Sequence, residues 1–514
     1  MAQHWTRRQA LQRGGTTVAG VAGLGLAGFG GYTWPHPSTS QNADKKATHP
    51  APAYVVGVDN FVTRPDLHTA TVRVTHTAAK PADEPPYILI APRGYLVSPT
   101  GQPGLMIVDG NGRLVWFGEA IAGTPLNFAV QQYHGQPVLT WSAGYANAQG
   151  ITFGTSYIAD SSYKVIATVK AGNGAETDLH EFNLTAQGTA LLTAHRQLPA
   201  DLSSLGGPKK TSVMESVAQE IDVATGKVVF EWNSLDHVPL SESHQTLAGV
   251  SSTVPYDYFH INSIALASDG DLLISSRNTW TVYKVDRSSG AIQWRLGGKK
   301  SDFTAGPDAT FYWQHDARMV EPGLLTVFDN GSSPPLEAQS RALLLNLDTA
   351  AMRVTLRHAY THPAGLLVDN QGSVQLLADG QVFVGWGAQP YFSQFAADGE
   401  LVLDGQLPSG DQSYRAFVSD WTGHPADSPA VVARPNPARG SAVYVSWNGA
   451  TGVQTWTVLA GSSPSALAAV GSQARAGFET MISVNTEGPY FAVIAHDMSG
   501  GELGRSATVR LTTA

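Results

Sequence analysis

The sequence contains no cysteine and few charged residues, and both features narrow what the protein can be. With 0 cysteines among 514 residues, disulfide cross-links, thiolate catalysis and zinc–sulfur sites are excluded. Only 14% of the residues are charged, the net charge is −9, and no basic stripe of the kind that binds nucleic acid is present. We therefore expect neither a nucleic-acid partner nor a fold that depends on covalent cross-links.

What the sequence has in abundance favours β structure. Hydrophobic residues make up 42% of the chain, which also holds 53 glycines and 30 prolines. This mixture suits short strands joined by tight turns better than helices. A chain of this length is too long for one small domain and can bury a large core. The composition predicts an all-β protein.

The N-terminus has the pattern of an export signal. Arg7 and Arg8 precede a Gly- and Ala-rich apolar stretch at residues 14–34, as in the twin-arginine signals of proteins exported in the folded state. No A-x-A cleavage site follows, and about 20 apolar residues can just span a bilayer, so residues 1–34 are a removed signal or a retained membrane anchor. Residues 35–53 predict a linker. We expect the protein to be secreted or tethered to the outer face of the cytoplasmic membrane.

Three hairpin patterns each open with a histidine and carry a polar residue at the end of the second strand. The patterns span residues 178–196, 258–278 and 313–330, and the opening histidines are His180, His260 and His315. The start of one hairpin strand and the end of the other lie side by side, so each pattern brings a histidine and a polar group to one rim. A structural repeat requires only its apolar positions, and repeated polar positions therefore predict a site.

A second repeat lies between these hairpins. An Asp, a short turn with Gly and an apolar run recur at Asp222, Asp286 and Asp348. Each unit is thus two hairpins, or four strands, which is the blade of a β-propeller. Counting the units predicts six blades over residues 54–410, with the three histidines meeting at one mouth of the central channel. Two insertions, residues 199–212 and 236–257, are long enough to be lids or binding loops.

The pattern changes after residue 410. Residues 411–428 predict a linker, and residues 429–514 predict short strands with turns at a spacing of about 8–12 residues. Trp447 in the second of these strands and Tyr490 later in the segment suit a sandwich of the fibronectin type III or immunoglobulin type. The predicted fold is therefore all-β, a six-bladed β-propeller followed by a C-terminal fibronectin type III/Ig-like β-sandwich.

At the three hairpins the sequence resembles bacterial arylsulfotransferases, which take sulfate from an aryl sulfate ester rather than from a nucleotide donor. The motifs are DLHEF, FHINSI followed by SSRN, and QHDAR, and the resemblance covers roughly residues 55–410. It implies a six-bladed propeller with three His and an Arg at its channel, one His being transiently sulfated. The cysteine pair of the best-known periplasmic branch is missing, and the sandwich lies at the other end of the chain. The sequence is more similar to a less characterised branch of actinomycete-like and fungal proteins.

The resemblance also implies a role for each site residue. His315 matches the sulfate-accepting histidine, Arg277 the sulfate-binding arginine, His260 and Asn262 the H-x-N-S motif, and His180 the earliest site histidine. Elementary chemistry is compatible with these roles, since a neutral imidazole is a nucleophile near pH 7 and a guanidinium can bind two sulfonate oxygens. Asn262, two residues past His260, can bond a further oxygen. His180 and His260 remain as the acid and the base at the phenolic oxygens.

The sequence therefore predicts transfer of a sulfuryl group from an aryl sulfate ester to a phenolic acceptor, by a ping-pong reaction through a sulfohistidine, with no cofactor and no metal. Two alternatives stay open. The three histidines could hold a divalent metal in a hydrolase or lyase, although an arginine within the cluster disfavours a cation. The propeller could also be a non-catalytic, extracytoplasmic binding module. His195 and Arg196, which match Arg277 in hairpin position, could line the pocket or its rim.

Overall fold

The protein is built almost entirely of β-strands. The computed structural model describes residues 57–77, 87–94, 98–438 and 440–512. Within these ranges the helices are the short α-helix Ser234–His237 and the 3-10 turns Ser203–Leu205 and Leu240–Glu242, and none of them is long and apolar enough to cross a membrane. The predicted all-β class is confirmed. The predicted signal or anchor (1–34) and linker (35–53) lie outside the described residues.

Six antiparallel sheets account for most of the chain, and each has four main strands. We call the first strand of each sheet, which contacts the neighbouring sheets, its leading strand. In order from the leading strand outward, the first sheet contains Ala416–Ser419, Tyr87–Ile90, Gly104–Val108 and Leu114–Glu119; the second Thr124–Tyr133, Gln136–Ala146, Thr152–Ala159 and Val165–Val169; the third Glu176–Leu184, Thr189–Ala200, Thr211–Asp222 and Val228–Asn233. The fourth contains Ile261–Leu266, Leu272–Ser276, Thr281–Val285 and Ile292–Gly297; the fifth His315–Glu321, Leu324–Asp329, Arg341–Asp348 and Arg353–Tyr360, with Thr304–Ala305 added at its outer edge; the sixth Ser373–Leu376, Val382–Gly385, Tyr391–Phe395 and Leu401–Gln406, with Arg73–His76 as a fifth strand.

The leading strands of the six sheets form a closed ring. Each leading strand contacts that of the next sheet, and the leading strand of the sixth contacts that of the first. Neighbouring sheets pack face to face through apolar side chains, as where Ile264, Ile274 and Tyr283 of the fourth sheet meet Leu191 and Ala218 of the third. The architecture is therefore propeller-like, with the leading strands around its centre.

The ring is closed by residues that were predicted to be a linker. Ala416–Ser419 pairs with Tyr87–Ile90 and supplies the leading strand of the first sheet. Residues 411–428 are therefore not a linker throughout, and the linker prediction is wrong for this strand. The physical reason is that a four-residue strand whose partner lies far away in the sequence leaves no local repeat. Two more short ladders, Val58–Asn60 with His68–Ala70 and Arg93–Gly94 with Asp411–Gln412, join the same region.

Residues 430–510 form two further sheets around one core. One sheet contains Ala430–Pro435, Ser441–Ser446 and Glu479–Val484; the other contains Ala468–Ala474, Thr455–Gly461, Tyr490–His496 and Glu502–Arg505, with Val509–Arg510 also paired to Tyr490–His496. Val443, Trp456 and Phe491 are buried between them. Trp447, predicted to lie within a strand, instead follows one, and its indole N–H donates to the Asp427 carbonyl at 2.6 Å.

Candidate active site

A cavity of about 220 Å³ lies where the leading strands of the third, fourth and fifth sheets begin, and it brings together most of the predicted site residues. His180, His260, His315 and Arg277 all line it. His180 lies in the leading strand of the third sheet, His260 directly precedes that of the fourth, and His315 begins that of the fifth. The rings of His180 and His260 meet edge to face with centroids 5.1 Å apart. The three repeats thus deliver their histidines to one place.

His315 is buried and held in a single tautomer. Its Nδ1 lies 2.7 Å from Asn330 Oδ1, and the Asn330 amide donates to the carbonyls of Val368 and Gln371 at 3.1 and 3.0 Å. These bonds fix the Asn330 oxygen toward the ring, so Nδ1 carries the proton and Nε2 keeps its lone pair. The Gln371 backbone N–H donates to Nε2 at 3.3 Å. Burial, reinforced by the charge of Arg277, lowers the pKa of His315 well below its usual value, which keeps the imidazole neutral at pH 7.

His180 and His260 are each paired with a carboxylate instead. Nδ1 of His180 lies 2.8 and 2.9 Å from the two oxygens of Asp178, and Nδ1 of His260 lies 2.5 Å from Asp257 Oδ2. Asp178 also accepts from the Thr152 hydroxyl. Burial opposes ionisation of Asp178, but the charge and hydrogen bond of His180 outweigh it and hold the pKa of this carboxyl below its usual range. In both histidines Nε2 remains available to a ligand.

Arg277 gives the cavity its positive charge. Its backbone N–H donates to the His260 carbonyl at 3.0 Å, which confirms the hairpin proximity expected from the repeat. The guanidinium donates to the Asp369 carbonyl at 3.1 Å and to Asn278 Oδ1 at 3.2 Å, and it lies 4.9 Å from the centre of the Trp313 ring. Burial lowers the pKa of Arg277 to about 10, so the group is still a cation at pH 7. The hydrogen bonds are all to neutral groups, although the nearby carboxylates of Asp257 and Asp369 favour the cation. The guanidinium has no direct ion pair among the described residues and can still bind an anion.

The structure places Asn262 outside the cavity. Its side chain is fully buried and donates to the Gln314 carbonyl at 2.6 Å, while its own carbonyl accepts from Arg415 at 3.2 Å. The expectation that Asn262 shares the face of His260 assumed strand alternation. His260 has a φ of +54° and precedes the strand, which begins at Ile261. Alternation therefore does not extend back to His260.

Several cavity residues were not predicted from the sequence, among them Arg93 and Tyr414. Arg93, 5% exposed, lines the cavity and donates to Gln371 Oε1 at 3.0 Å. The Tyr414 hydroxyl donates to the His180 carbonyl at 3.1 Å, and its ring meets the His180 ring edge to face. Both come from the region of the ring-closing ladders rather than from the repeated hairpins, so the repeat contained no signal for them. Asp178, by contrast, was visible in the DLHEF motif.

Charged residues that directly follow site residues in the sequence form a buried layer of ion pairs. Arg415 contacts Glu181 at 2.8 Å and Asp316 at 3.5 Å, and Arg318 pairs with Asp316 at 2.8 Å and also with Glu181. Glu181, Asp316 and Arg415 directly follow His180, His315 and Tyr414. Asp316 pairs with Arg318 and Arg415 and not with His315. Its φ of +54° and the register shift between His315 and Arg318 show that regular strand alternation does not set this direction. Two cations and two carboxylates compensate one another there.

The remaining candidates have other partners. His195 lines a separate cavity of about 20 Å³ behind His180 and His260. Arg196 forms an ion pair with Glu231 at 2.8 Å. Trp280 and Trp313 meet edge to face with ring centres 5.0 Å apart, so both belong to an aromatic cluster beside Arg277. Among the described residues, no group of three or more His, Cys, Asp and Glu side chains is arranged to hold a metal ion.

Fold and site together define a propeller-like, all-β protein with an anion-receptive histidine cavity. The sequence matches the family of arylsulfotransferases (ASST) over residues 129–407, which is more than half of the chain. The chain belongs to this arylsulfotransferase family, and membership supports a sulfotransferase activity in general. The matched span contains all three cavity histidines and Arg277.

Solved structures resemble the chain only distantly. A protein of unknown function from Bacteroides caccae is 12% identical, with a TM-score of 0.39 over 65% of this chain and 98% of its own. A protein from Lactobacillus plantarum is 13% identical, with a TM-score of 0.36 over 78% and 100% of the two chains. A virginiamycin B lyase from Staphylococcus aureus is 9% identical, with a TM-score of 0.33 over 66% and 89%. No curated protein matches the sequence.

Proposed function

We propose that the protein transfers a sulfuryl group from an aryl sulfate ester to a phenolic acceptor through a sulfohistidine at His315. The observation that carries this proposal is the state of His315. Its ring is neutral, its Nδ1–H is held by Asn330, and its Nε2 lone pair lies in the same cavity as Arg277. His315 is bonded to an amide rather than to a carboxylate, and a cation lies in the same cavity. Such a neutral imidazole suits attack on an anionic ester.

In the first step, Nε2 of His315 attacks the sulfur of the aryl sulfate. The N–S bond forms as the S–O bond to the ring breaks, and the electron pair of that bond leaves with the phenolic oxygen. A proton from the imidazolium of His180 or His260 neutralises the leaving phenolate. Arg277 and Arg93 bind the sulfonate oxygens, and Asn330 accepts the Nδ1–H of the sulfated ring.

In the second step, the acceptor phenol takes the sulfuryl group from His315 by the same bond changes in the opposite direction. Its hydroxyl gives a proton to Nε2 of His180 or His260, its oxygen attacks the sulfur, and the N–S electron pair returns to His315. Asp178 and Asp257 hold Nδ1 of the two proton-transferring rings, which fixes their orientation through both steps. No group besides donor and acceptor is consumed.

The test is transfer from 4-nitrophenyl sulfate to phenol. We expect nitrophenolate release that depends on the acceptor and survives EDTA, and a loss of more than about a thousandfold in His315→Ala. His68→Ala, which changes an exposed histidine outside the cavity, is the matched control. Without acceptor, the intact wild-type chain should gain the mass of one SO₃ group, and His315→Ala should not. A folded protein that turns over no aryl sulfate would favour the binding-module alternative, and loss of activity in EDTA would favour the metal alternative.

We further propose the finer features of the architecture and location. The closed ring of leading strands supports reading the six sheets as six propeller blades, and the two C-terminal sheets around one core support a fibronectin type III-like sandwich. This order of domains and the missing cysteines support the less characterised branch of the family. Arg7 and Arg8 support export, which the double substitution of both residues by lysine should block in a cell-fractionation assay.

A further inference from the structure

The walls of the cavity around the histidines are unusually rich in carboxamides. Five of the described lining residues carry one: Gln149, Gln245, Asn278, Asn370 and Gln371. Apart from the imidazoles, Tyr414 supplies the one aromatic ring among the described lining residues, and its hydroxyl is already bonded to a backbone carbonyl. Pockets that select plain arenes are lined mainly by apolar and aromatic side chains. This cavity instead presents groups that recognise hydroxyls.

In three of these amides one of the two polar atoms is hydrogen-bonded to the protein and the other is not. Gln149 donates to a backbone carbonyl at 3.0 Å, Gln245 accepts from a backbone N–H at 3.1 Å, and Asn370 Oδ1 accepts from Gln371 at 2.6 Å. Among the described residues, Gln149 Oε1, Gln245 Nε2 and Asn370 Nδ2 have no hydrogen-bond partner. Gln245 is exposed and Gln149 and Asn370 are half-buried, so one acceptor and two donors are open to solvent at the cavity. Hydroxyl groups, which both donate and accept, match such a set.

The three amides stand on separate segments around the cavity. Gln149 lies in the turn that connects the second and third strands of the second sheet, Gln245 in the loop before the fourth sheet, and Asn370 in the segment before the sixth. Asn370 directly precedes Gln371, whose backbone N–H reaches His315 Nε2. The three amides and His315 line the same cavity, so a ligand bound by the amides can extend to the proposed nucleophile.

An exposed aromatic ring stands on the hairpin that carries Gln149. Tyr145 is 66% exposed and stacks on Phe153, its cross-strand neighbour, with ring centres 5.1 Å apart and an interplanar angle of 14°. An isolated exposed aromatic side chain needs no explanation in itself; Tyr145 does not line the cavity, but it lies on the same hairpin as Gln149, which does. The apolar face of a sugar ring can stack on such a surface while its hydroxyls bond amides.

We infer that the acceptor is a phenol that carries a carbohydrate, with the sugar hydroxyls bound by Gln149, Gln245 and Asn370. This inference rests on the proposed function and names the substrate class of the same site. The phenolic hydroxyl reaches the sulfur on His315, and the sugar occupies the outer part of the cavity. A site built to bond hydroxyls discriminates against an analogue without them, because its polar groups are then left without partners.

The experiment compares two acceptors with the same reacting group. These are 4-hydroxyphenyl β-D-glucopyranoside and 4-methoxyphenol, each a phenol with a para ether oxygen, and the donor is 4-nitrophenyl sulfate for both. We expect kcat/KM for the glucoside to exceed that for 4-methoxyphenol by at least about tenfold, as two or three additional hydrogen bonds would give. The double variant Gln149→Ala/Gln245→Ala should reduce this ratio to below about threefold. Gln132→Ala, an exposed carboxamide outside the cavity, should keep the wild-type ratio.

The outcomes separate this inference from the function on which it rests. Equal kcat/KM for the two acceptors, with both sulfated, would overturn the glycosylated acceptor and leave the sulfotransferase intact. A preference for the glucoside that survives in the double variant would also overturn it. If neither acceptor is sulfated and no sulfohistidine forms, the proposed function and the inference fall together.

Discussion

At the scale of single residues, the repeat makes three histidines equivalent but their partners make them different. Nδ1 of His315 bonds a neutral amide, whereas His180 and His260 bond carboxylates at 2.8 and 2.5 Å. A carboxylate accepts the Nδ1–H of a ring and fixes its orientation, which leaves Nε2 of His180 and His260 directed at a ligand. His315 therefore suits a nucleophile that stays neutral, and the other two suit proton transfer.

The carboxylate partners should matter most when the leaving group is poor. We expect Asp178→Asn and Asp257→Asn to lower kcat by about 10–100-fold, the usual cost of losing a partner that orients a functional group. In the variant whose histidine protonates the leaving phenolate, the loss should be larger with phenyl sulfate than with 4-nitrophenyl sulfate, because nitrophenolate needs less help from an acid. Steady-state kinetics with both donors check this. Identical losses for the two donors in both variants would contradict it.

Arg93 should contribute to binding of the sulfonate. We expect Arg93→Met to reduce kcat/KM for aryl sulfates by about 10–100-fold, since a hydrogen bond to a charged group contributes about 1.5–3 kcal/mol. Arg93→Lys should lose less, because it keeps the charge. The matched control is Arg196→Met, whose guanidinium pairs with Glu231 outside the cavity. Activity of Arg93→Met within twofold of wild type would show that this residue does not touch the donor.

Residue identity was predictable only where the chain repeats itself. His180, His260, His315 and Arg277 were found because three hairpins present them at matching positions. Asn262 could not be placed, since the positive φ of the residue two before it breaks the strand alternation. Conformations of this kind depend on tertiary contacts and leave no periodic pattern in the sequence.

At the scale of elements, the insertion at residues 236–257 forms one side of the cavity mouth. Its length predicted a lid or a binding loop. The structure shows that it is anchored, because the His244 ring stacks on Trp280 with centres 3.4 Å apart and the next residue, Gln245, lines the cavity. The position of a carboxamide in the proposed acceptor site therefore depends on this stack.

The anchor should weaken in acid. Burial, reinforced by the charge of Lys299, lowers the pKa of His244 to about 4, whereas a histidine in an unfolded chain titrates near 6.5. Protonation of His244 is thus disfavoured while the loop is anchored. The stability that neutral His244 contributes to the anchored loop is fully present above pH 6.5 and is lost as the pH falls toward 4. We expect about 1 kcal/mol of local destabilisation at pH 5, allowing for partial exposure.

Hydrogen exchange of residues 240–250, corrected for intrinsic pH dependence, measures this effect. Protection should fall between pH 7 and pH 5 in the wild type. His244→Phe keeps a ring on Trp280 but cannot be protonated, so its protection should be independent of pH over this range. The same loss of protection in both proteins would assign the change to another group.

Local pairing could be predicted for the sheets, but the closure of the ring could not. A hairpin was predicted at residues 178–196, and Glu176–Leu184 pairs with Thr189–Ala200 there. Alternation and turn residues act over a few positions and therefore specify each hairpin. The pairing of Ala416–Ser419 with Tyr87–Ile90 joins opposite ends of the propeller-like region, and no local pattern encodes it.

At the scale of the whole molecule, the C-terminal sheets are packed against the sheet that closes the ring. The Asn448 side chain makes two hydrogen bonds of 2.9 Å to the backbone of Phe117, a residue of the first sheet. Phe478 joins the hydrophobic core of the first and sixth sheets, with its ring 4.4 Å from that of Phe61. The two domains share a core, so their stabilities are coupled.

This coupling predicts one cooperative unfolding transition and a way to split it. Phe478 is 5% exposed, and its truncation to Ala should cost about 3–5 kcal/mol by leaving a cavity in the shared core. We expect scanning calorimetry to show a single transition for the wild type and two separate, lower transitions for Phe478→Ala. Met498→Ala, at a position 88% exposed in the same domain, should change stability by less than about 0.5 kcal/mol.

Because the shared core includes Val418 of the closing strand, hydrogen exchange at Ala416–Ser419 should become faster in Phe478→Ala. A single transition of unchanged shape in that variant would mean that the ring closes without help from the C-terminal domain.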